Sequence, residues 1–287
     1  MSSQVLLPRN MGFAQRGMGG ASGGVDWSKY NTVNDTGVSV ITEDAFPVDA
    51  VLRTIQIDNT RFAVIFEGES SYIKGVIGSI GSDDVVSFGL QVTLLATAIG
   101  DNELTADLLD DTHIVIGYKD SGLKAIVVEF SGVDFGTVGT PVQFGATTTV
   151  YLLQIAAISG SSILFSYYNS VGTDTFVYYG SVSGTTITAG SSITVETDNT
   201  TDNTMVAIGN ERAVLSYNNV PDGALEINLI SFSGTTPVLD DKVADVTTTL
   251  VNEVSQCKLK GGYAITAFEE PGNGYVKALI VQDDDGS

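Results

Sequence analysis

The sequence is poor in the residue types that disulfides, metal centres and basic binding surfaces require. It contains one cysteine, Cys257, and one histidine, His113, and its 13 lysine and arginine residues face 34 aspartate and glutamate residues. One cysteine cannot form a disulfide within the chain, and one histidine leaves too few ligands for zinc. We therefore expect no metal and no cofactor. Cys257 is predicted to be a small core residue and His113 to have a structural role.

The shortage of basic residues and the lack of long apolar segments exclude several classes of binding partner. A net charge of −21 argues against nucleic acid and against an anionic membrane surface. No apolar run approaches the roughly 20 residues that a membrane-spanning helix needs, so no membrane insertion is expected. The first residues lack the apolar core of a secretory signal peptide, so none is predicted.

What the sequence does contain is a repeat. Five segments share an apolar run that ends in an aromatic residue followed by a polar one, and the aromatic residues are Phe66, Tyr118, Tyr167, Tyr217 and Phe268. Their successive gaps are 52, 49, 50 and 51 residues. A fixed period near 50, in a chain rich in Thr, Ser, Val, Ile and Gly, predicts repeated units of short strands.

The fourth repeat shows most clearly that each unit holds four strands. Strands are predicted at 205–208, 213–217, 225–232 and 237–246, with Ser-Gly-Thr-Thr at 233–236 as the turn between the last two. The same four residues recur at 183–186, and a looser version stands at 131–134. Glycine supplies the positive φ of a tight turn, and Ser and Thr can hydrogen-bond the local backbone. Each repeat is therefore predicted to be a four-stranded antiparallel sheet.

The two ends of the repeat region complement each other. The fifth repeat supplies three strands and stops at 283–287, where its last turn is expected, while residues 36–42 resemble a fourth strand. We therefore predict an all-β fold, a five-bladed β-propeller over residues 35–287, with four-stranded blades and an N-terminal strand that closes the last blade. A linear β-solenoid or a pair of sandwiches is the alternative, and neither explains the match between the ends.

Residues 1–34 lie outside the repeat and are predicted to form an extended glycine-rich arm. Residues 1–30 carry three basic side chains and one acidic, a net of +2, so the remainder carries −21 − 2 = −23. An arm opposite in charge to its own body, with apolar groups that it cannot bury alone, is expected to dock on a partner. A disordered tail is the alternative. The predicted docking residues are Leu6, Leu7, Arg9, Met11, Phe13, Arg16, Met18, Trp27, Lys29 and Tyr30.

The innermost strands offer little catalytic chemistry. Alignment of the first strand of each blade puts Arg53, Thr105, Gln154 and Thr204 at one level, with Val254 in the fifth blade, and we predict that the first four line the channel. Asp107 and Glu253 are nearby in register, but a glycosidase needs carboxylates that converge. No catalytic residue is assigned, and the protein is predicted not to be an enzyme.

Two other residue types are candidates for ligand binding. Acidic pairs recur in turns, although none has the spacing of a known calcium loop, so solvated turn residues are the preferred interpretation. Tyrosines are candidate platforms for sugars, with packing between blades as the alternative: Tyr72, Tyr151, Tyr168, Tyr178, Tyr179 and Tyr275.

A second strand that ends in Ser-Tyr-Asn (216–218) and a third that runs into Ser-Gly-Thr-Thr (233–236) resemble the degenerate propeller repeats of tailed-phage structural proteins. The resemblance implies a non-enzymatic virion protein, a fibre, decoration or tail component that is made in the host cytoplasm and present in many copies. The arm would bind other virion proteins, and a host-surface glycan or protein would be a further partner. A carbohydrate-binding lectin or glycosidase on the same fold is the alternative.

Overall fold

A computed structural model describes residues 51–82, 85–100, 103–145, 150–209, 211–243, 247, 250–259, 262–270 and 275–282. All of them belong to one compact unit, residues 41–287. Within these ranges the chain forms 21 β-strands in five antiparallel sheets, one sheet for each repeat. This confirms the predicted all-β, five-bladed β-propeller. No helix among the described residues has the length and apolar character of a membrane span.

Blades I and II each have a fourth strand that is broken into two segments. Blade I consists of β1 (Leu52–Gln56), β2 (Arg61–Glu67), β3 (Ile73–Ile80), β4 (Val86–Phe88) and β5 (Val92–Leu95). Blade II consists of β6 (Leu104–Asp110), β7 (His113–Lys119), β8 (Leu123–Ser131), β9 (Asp134–Val138) and β10 (Val142–Gln143). Because β4 and β5 both pair with β3, and β9 and β10 both pair with β8, each blade remains four strands wide.

Blades III and IV have four continuous strands, and three strands of blade V are described. Blade III consists of β11 (Val150–Ser159), β12 (Ser162–Asn169), β13 (Asp174–Ser183) and β14 (Thr186–Glu196). Blade IV consists of β15 (Thr200–Gly209), β16 (Arg212–Asn219), β17 (Ala224–Ser233) and β18 (Thr236–Val243). Blade V contains β19 (Asn252–Leu259), β20 (Tyr263–Glu270) and β21 (Tyr275–Gln282). The predicted closing strand at 36–42, the arm at 1–34 with its docking residues, and the boundary between arm and propeller lie outside the described residues.

The hydrophobic core consists of the interfaces between successive blades. Second strands are covered on both faces, so β7, β12 and β16 are buried along most of their length and appear in the sequence as unbroken apolar runs. The aromatic residues of blades II to V pack toward the preceding blade. Tyr118 lies in one cluster with Ile65 of blade I, and Tyr217 lies in another with Leu164 of blade III. In these four interfaces the repeated aromatic therefore helps to fill the space between blades.

Hydrogen bonds also connect each blade to the next one. The Ser166 hydroxyl of blade III donates to Asn203 Oδ1 of blade IV at 3.4 Å. The Asn218 side chain of blade IV donates to the Val251 carbonyl at 2.7 Å and accepts the Val251 N–H at 3.2 Å, just before blade V. These bonds hold the first strand of a blade to side chains of the blade before it.

The outer strands meet through a glycine and a turn. Gly89 lies against the carbonyl oxygen of Val133, Gly139 against that of Thr185, and Gly190 against that of Thr235, and a Cβ atom on any of these glycines would overlap that oxygen. The three carbonyls belong to the turns between strands three and four of the next blade. The Ser-Gly-Thr-Thr signal therefore marks a contact between blades as well as a tight turn.

The first strands of blades III, IV and V each contain a β-bulge. Leu152, Asp202 and Glu253 have positive φ angles of 55°, 52° and 46°. At each bulge two residues oppose one residue of the second strand, which is the repeat's aromatic residue. Left-handed backbone is unfavourable for residues other than glycine, so the surrounding contacts must hold these three bulges in place.

Candidate binding site at the loop end of the propeller

The two ends of the propeller differ in the length of their connections. At one end most connections are two-residue turns, such as 111–112, 184–185 and 234–235. At the other end, which we call the loop end, strand two joins strand three and each blade joins the next through three to eight residues. Residues in longer connections are not committed to strand pairing, so their side chains are available for binding. The loop end is therefore the better place for a binding site.

The four predicted channel-lining residues occupy equivalent positions in their strands. Each pairs with the residue just before the repeat's aromatic: Arg53 with Ile65, Thr105 with Gly117, Gln154 with Ser166 and Thr204 with Ser216. In blade V the equivalent residue is Ser255, which pairs with Ala267, so the alignment that put Val254 at this level is wrong by one residue. Thr105 is buried, whereas Arg53, Gln154 and Thr204 are half-buried. No carboxylate occupies this level.

Glu103 lies just before the first strand of blade II and holds the bulge of blade III. Its Oε1 atom accepts the N–H of Leu152 at 3.0 Å, and its Oε2 atom accepts the N–H of Leu153 at 2.9 Å. Burial raises the pKa of Glu103, and the two amide hydrogen bonds oppose that shift. The carboxylate therefore connects two blades.

Asp107 has a similar role deeper in the same interface. Its Oδ2 atom accepts the N–H of Ala157 in blade III at 2.8 Å, and its Oδ1 atom accepts the N–H of Leu108 at 2.8 Å. Burial raises the pKa of Asp107 to about 6. A raised pKa in a cleft can mark an acid catalyst, but both oxygens of this carboxylate serve backbone amides. Asp107 faces the neighbouring blade, as does Glu103, and the two do not form a catalytic pair.

The tyrosines named as possible sugar platforms divide into packed and exposed ones. Tyr178 lies edge-on to Phe144, which follows the last strand of blade II, and Tyr179 is buried against Phe232 of blade IV, so packing between blades accounts for both. Tyr151 is 39% exposed at the loop end, with the Lys119 ammonium 4.5 Å from its ring centroid. Tyr72 and Tyr168 are half-buried, and the side chain of Tyr275 lies outside the described residues.

The two single-copy residues have different environments. His113 Nδ1 lies 2.9 Å from Asp110 Oδ1 in a tight turn, so the structure gives it a structural position. The prediction that Cys257 is a core residue is wrong, since its side chain is exposed. Cys257 pairs with Ile265, which pairs with Ile280, and this face of blade V is exposed through Ile280 as well.

A buried polar cluster lies between blades III and IV at the loop end. We name it the III/IV cluster, and it consists of Glu196, Asn203, Tyr217, Asn219, Glu226, Asn228 and Lys242. Glu196 comes from the last strand of blade III, and the others come from blade IV. All of them except Lys242 are buried. Sequence analysis did not identify this group.

Part of the III/IV cluster is well connected. Lys242 Nζ lies 2.8 Å from Glu226 Oε2 and 3.5 Å from Glu196 Oε2. Asn219 Nδ2 lies 3.2 Å from Glu226 Oε1, 3.2 Å from Glu196 Oε2 and 3.1 Å from Asp222 Oδ2. An amide nitrogen has two hydrogens, so Asn219 can serve two of the three carboxylates at a time.

The rest of the III/IV cluster is less completely paired. The Tyr217 hydroxyl hydrogen-bonds with the side chains of Glu226 and Asn228, whereas Asn228 Oδ1 and Asn203 Nδ2 are buried without a partner. Tyr217 and Asn228 are both 0% exposed. Burial, followed by the neighbouring Glu226 carboxylate, raises the pKa of Tyr217, so its hydroxyl keeps its proton. An unpaired buried polar group typically costs about 1–3 kcal/mol, so this arrangement needs an explanation.

Comparison of the five repeats shows that blade IV differs at this position. Two positions in the third strand of each blade can be compared: the residue opposite the repeat's aromatic, and the residue two positions later. From blade I to blade V these pairs are Lys74 and Val76, Lys124 and Ile126, Phe176 and Tyr178, Glu226 and Asn228, and Lys277 and Leu279. Blade IV alone places a carboxylate and an amide there. Alignment of third strands, in addition to second strands, would have revealed the substitution in the sequence.

The III/IV cluster does not have the geometry of a metal site. Within the part of the chain that the structure describes, no three His, Cys, Asp or Glu side chains are placed to hold a metal ion. Glu196, Asp222 and Glu226 instead share the amide of Asn219, and Glu196 and Glu226 also share the ammonium of Lys242.

Comparisons with known proteins bear on the fold. No protein-family model matches the chain, and no curated protein matches it. A mutant of the NanB sialidase from Streptococcus pneumoniae is similar at 12% identity and a TM-score of 0.51, with 76% of this chain and 37% of that chain covered. This chain thus spans little more than a third of the sialidase chain.

Two further propeller structures are similar over most of this chain. AofleA from Arthrobotrys oligospora matches at 8% identity and a TM-score of 0.50, with 82% of this chain and 73% of that chain covered. A six-bladed fungal lectin of Aleuria aurantia, described by its fucose recognition, matches at 14% identity, with 81% and 77% covered. Its TM-score of 0.43 supports no comparison of sites. What this chain has in common with these proteins is the β-propeller fold.

Proposed function

We propose that this protein is a non-catalytic carbohydrate-binding propeller whose ligand site is the III/IV cluster. The observation that carries the proposal is the buried polar cluster itself, in which Asn228 Oδ1 is an unused acceptor and Asn203 Nδ2 is an unused donor. Between them they offer donors and acceptors in one place. Sugar hydroxyl groups both donate and accept hydrogen bonds, so a carbohydrate would satisfy this mixed set and remove the cost of leaving it unpaired.

The carboxylates support binding rather than hydrolysis. Glycoside hydrolysis requires one protonated and one ionised carboxyl group that face the bond to be broken. The two first-strand carboxylates with raised pKa values, Glu103 and Asp107, use both of their oxygens on backbone N–H groups of blades II and III. Neither is available as an acid for a substrate.

Access to the III/IV cluster passes Lys242. The Lys242 side chain is 38% exposed and bridges Glu226 and Glu196, whose side chains are 1% and 10% exposed. Because the Glu226 carboxylate is buried, separating Lys242 from it would leave an uncompensated buried charge, which typically costs about 3–5 kcal/mol. Lys242 is therefore expected to stay paired with Glu226 when a ligand binds.

A glycan array followed by isothermal titration calorimetry on the full chain tests this proposal. We expect selective binding of a subset of glycans and no release of reducing sugar on prolonged incubation. Failure to bind any glycan would overturn the carbohydrate-binding function. Hydrolysis of a bound glycan would overturn the non-catalytic assignment.

We also propose that residues 1–34 attach the propeller to a larger assembly, with a tailed-phage virion as the setting. The support is the charge contrast in the sequence, +2 for residues 1–30 against −23 for the remainder. In that setting the chain is made in the host cytoplasm and displayed in many copies, and the III/IV cluster would contact a host-surface glycan. None of the three structures described above is a phage protein.

Hydrogen exchange tests the attachment. We expect amides of residues 1–34 to be unprotected in the isolated chain and protected when virion components are added. Protection of these amides in a free monomer would show that the arm packs on its own propeller and would overturn the docking proposal.

A further inference from the structure

We propose that residues 43–50 dock on the face of blade I that points away from blade II, and that Phe46 fills the apolar site on this face. We call this surface the leading face of blade I, and it is formed by Leu52, Phe62, Val64, Phe66, Val76 and Gly78. The inference concerns how the ring of blades closes, and it does not depend on the carbohydrate-binding function proposed above.

The leading face is buried at one end and open at the other. Phe66 and Val76 are each 1% exposed. Neither belongs to any of the hydrophobic clusters that the described residues form, whereas the repeated aromatic residues of blades II to V do. Leu52, on the same face, is 47% exposed. The neighbour that covers Phe66 and Val76 is therefore not one of the apolar residues in those clusters.

The connection between blades II and III shows how such a face is covered. Phe144 follows the last strand of blade II and is 4% exposed. Its ring centroid lies 4.6 Å from that of Phe165 and 6.3 Å from that of Tyr178, both on the corresponding face of blade III. Ile99, before blade II, and Val251, before blade V, are also buried in such clusters. Three of the four connections between blades thus place an apolar residue in the interface.

The two residues that contact Phe144 have smaller equivalents in blade I. Phe165 stands two residues before the repeat's aromatic, where blade I has Val64. Tyr178 stands two residues after the position opposite that aromatic, where blade I has Val76. Because apolar interiors are packed without large voids, the smaller side chains leave room for an incoming aromatic ring.

Residues 43–50 occupy the place of such a connection in the chain. They follow the predicted closing strand at 36–42 and lead to Val51, whose carbonyl accepts the N–H of Glu67 in blade I. The compact unit that contains the blades starts at residue 41 and so includes this segment. Extended, the segment spans up to about 26 Å, more than the roughly 14 Å between the outermost and innermost strands of a four-stranded blade. Phe46 is its only aromatic residue.

Cross-linking within the full chain tests the contact. Cys257 is exposed and is first removed in Cys257→Ser, so that introduced cysteines are the only thiols. Phe46→Cys combined with Val64→Cys places two thiols at the proposed contact, and a short bismaleimide joins them without the strict geometry of a disulfide. Phe13→Cys combined with Val64→Cys is the matched control, because residue 13 lies in the predicted arm. The mass of the denatured product separates links within one chain from links between two chains.

We expect most chains with the Phe46→Cys pair to be linked internally and few chains with the Phe13→Cys pair. Links mainly between two chains would show that a second copy supplies the segment and would overturn the inference. Equal linking of the two pairs, including none in either, would overturn it as well.

Melting temperatures give an independent readout. Phe46→Ala removes a buried ring, so we expect the melting temperature to fall by roughly 5–10 °C, whereas Phe13→Ala should leave it unchanged. In a chain that already carries Val64→Ala, Phe46→Ala should have a smaller effect, because both substitutions remove the same contact. Equal melting temperatures for Phe46→Ala and Phe13→Ala, or full additivity with Val64→Ala, would contradict the docking of Phe46.

Discussion

The surroundings of Asp107 and Asp58 shift the pKa values of these two side chains in opposite directions. Burial raises the pKa of Asp107 to about 6, whereas hydrogen bonds from the Thr60 backbone, the Arg61 side chain and the Thr60 hydroxyl lower the pKa of Asp58. An aspartate in an unfolded chain has a pKa near 3.9. For Asp107 the folded state holds the proton more tightly, so its contribution to stability is complete below about pH 4. That contribution is lost as the pH rises through 6.

The Asp107→Asn variant should therefore change the pH dependence of unfolding. We expect the free energy of unfolding of the unmodified chain, relative to the variant, to fall by about 2 kcal/mol between pH 4.5 and pH 7.5. Urea denaturation at several pH values in this range measures it. Asp58→Asn is the control: its destabilising effect should stay constant across this range and shrink only below about pH 4, because the pKa of Asp58 is lowered in the folded state. A constant offset for Asp107→Asn across the range would contradict the assignment.

At the scale of single elements, the bulge of β11 depends on a carboxylate from another blade. Glu103 receives both amides of the bulge, Leu152 and Leu153. In Glu103→Gln one of these amides would face an NH2 group, so we expect a loss of about 1–3 kcal/mol in the free energy of unfolding. Glu129→Gln, at an exposed position of β8, is the control and should be nearly neutral. Equal stability of the two variants in urea would show that the bulge does not depend on Glu103.

The contact between an outer-strand glycine and the next blade's turn gives a second test at this scale. A Cβ atom at Gly139 would overlap the Thr185 carbonyl oxygen, which is backbone and cannot rotate away, while one at Gly136 would have its nearest neighbour at 3.6 Å. We expect Gly139→Ala to cost about 1–3 kcal/mol, as overpacking usually does. Gly136→Ala should cost much less. Chemical denaturation of both variants measures the difference, and equal stability would contradict the proposed role of this contact.

At the scale of the whole molecule, the propeller should fold without the arm. Strand residues of blades I to IV form the hydrophobic clusters between these blades, and the predicted closing strand at 36–42 follows the predicted arm. We expect a chain lacking residues 2–33 to unfold cooperatively at a temperature close to that of the full chain, as measured by circular dichroism. Aggregation or a large loss of melting temperature would show that the boundary is misplaced.

The architecture could be predicted because the features that form it are local and repeated. Tyr118, Tyr167 and Tyr217 end strands that are buried on both faces, so their apolar runs stand out at a constant period. The equivalent position in blade V, Ser255, follows from the same spacing, whereas the positive φ angles of the bulges in blades III, IV and V leave no mark in the sequence. Sequence reasoning therefore gave the order and pairing of the strands more accurately than the details of the inner strands.

The III/IV cluster could not be predicted in the same way. Glu196 and Lys242 come from different blades, and their proximity depends on how two outer strands pack. The charged groups in this interface look like ordinary surface residues when each strand is considered alone. The one local signal is the pair Glu226 and Asn228 within the otherwise apolar strand β17, and it becomes visible only when the third strands are compared across blades.

The hydrogen bonds between blades have a consequence for how this protein can be recombined. Asn218 belongs to blade IV, yet it binds both backbone groups of Val251 just before blade V. Likewise Ser166, in the second strand of blade III, donates to Asn203 in the bulge of blade IV. A cut between two blades would separate these partners. The segment to keep intact in circular permutation, blade exchange or duplication therefore runs from the second strand of one blade through the first-strand bulge of the next blade. This segment crosses the boundary between two sheets.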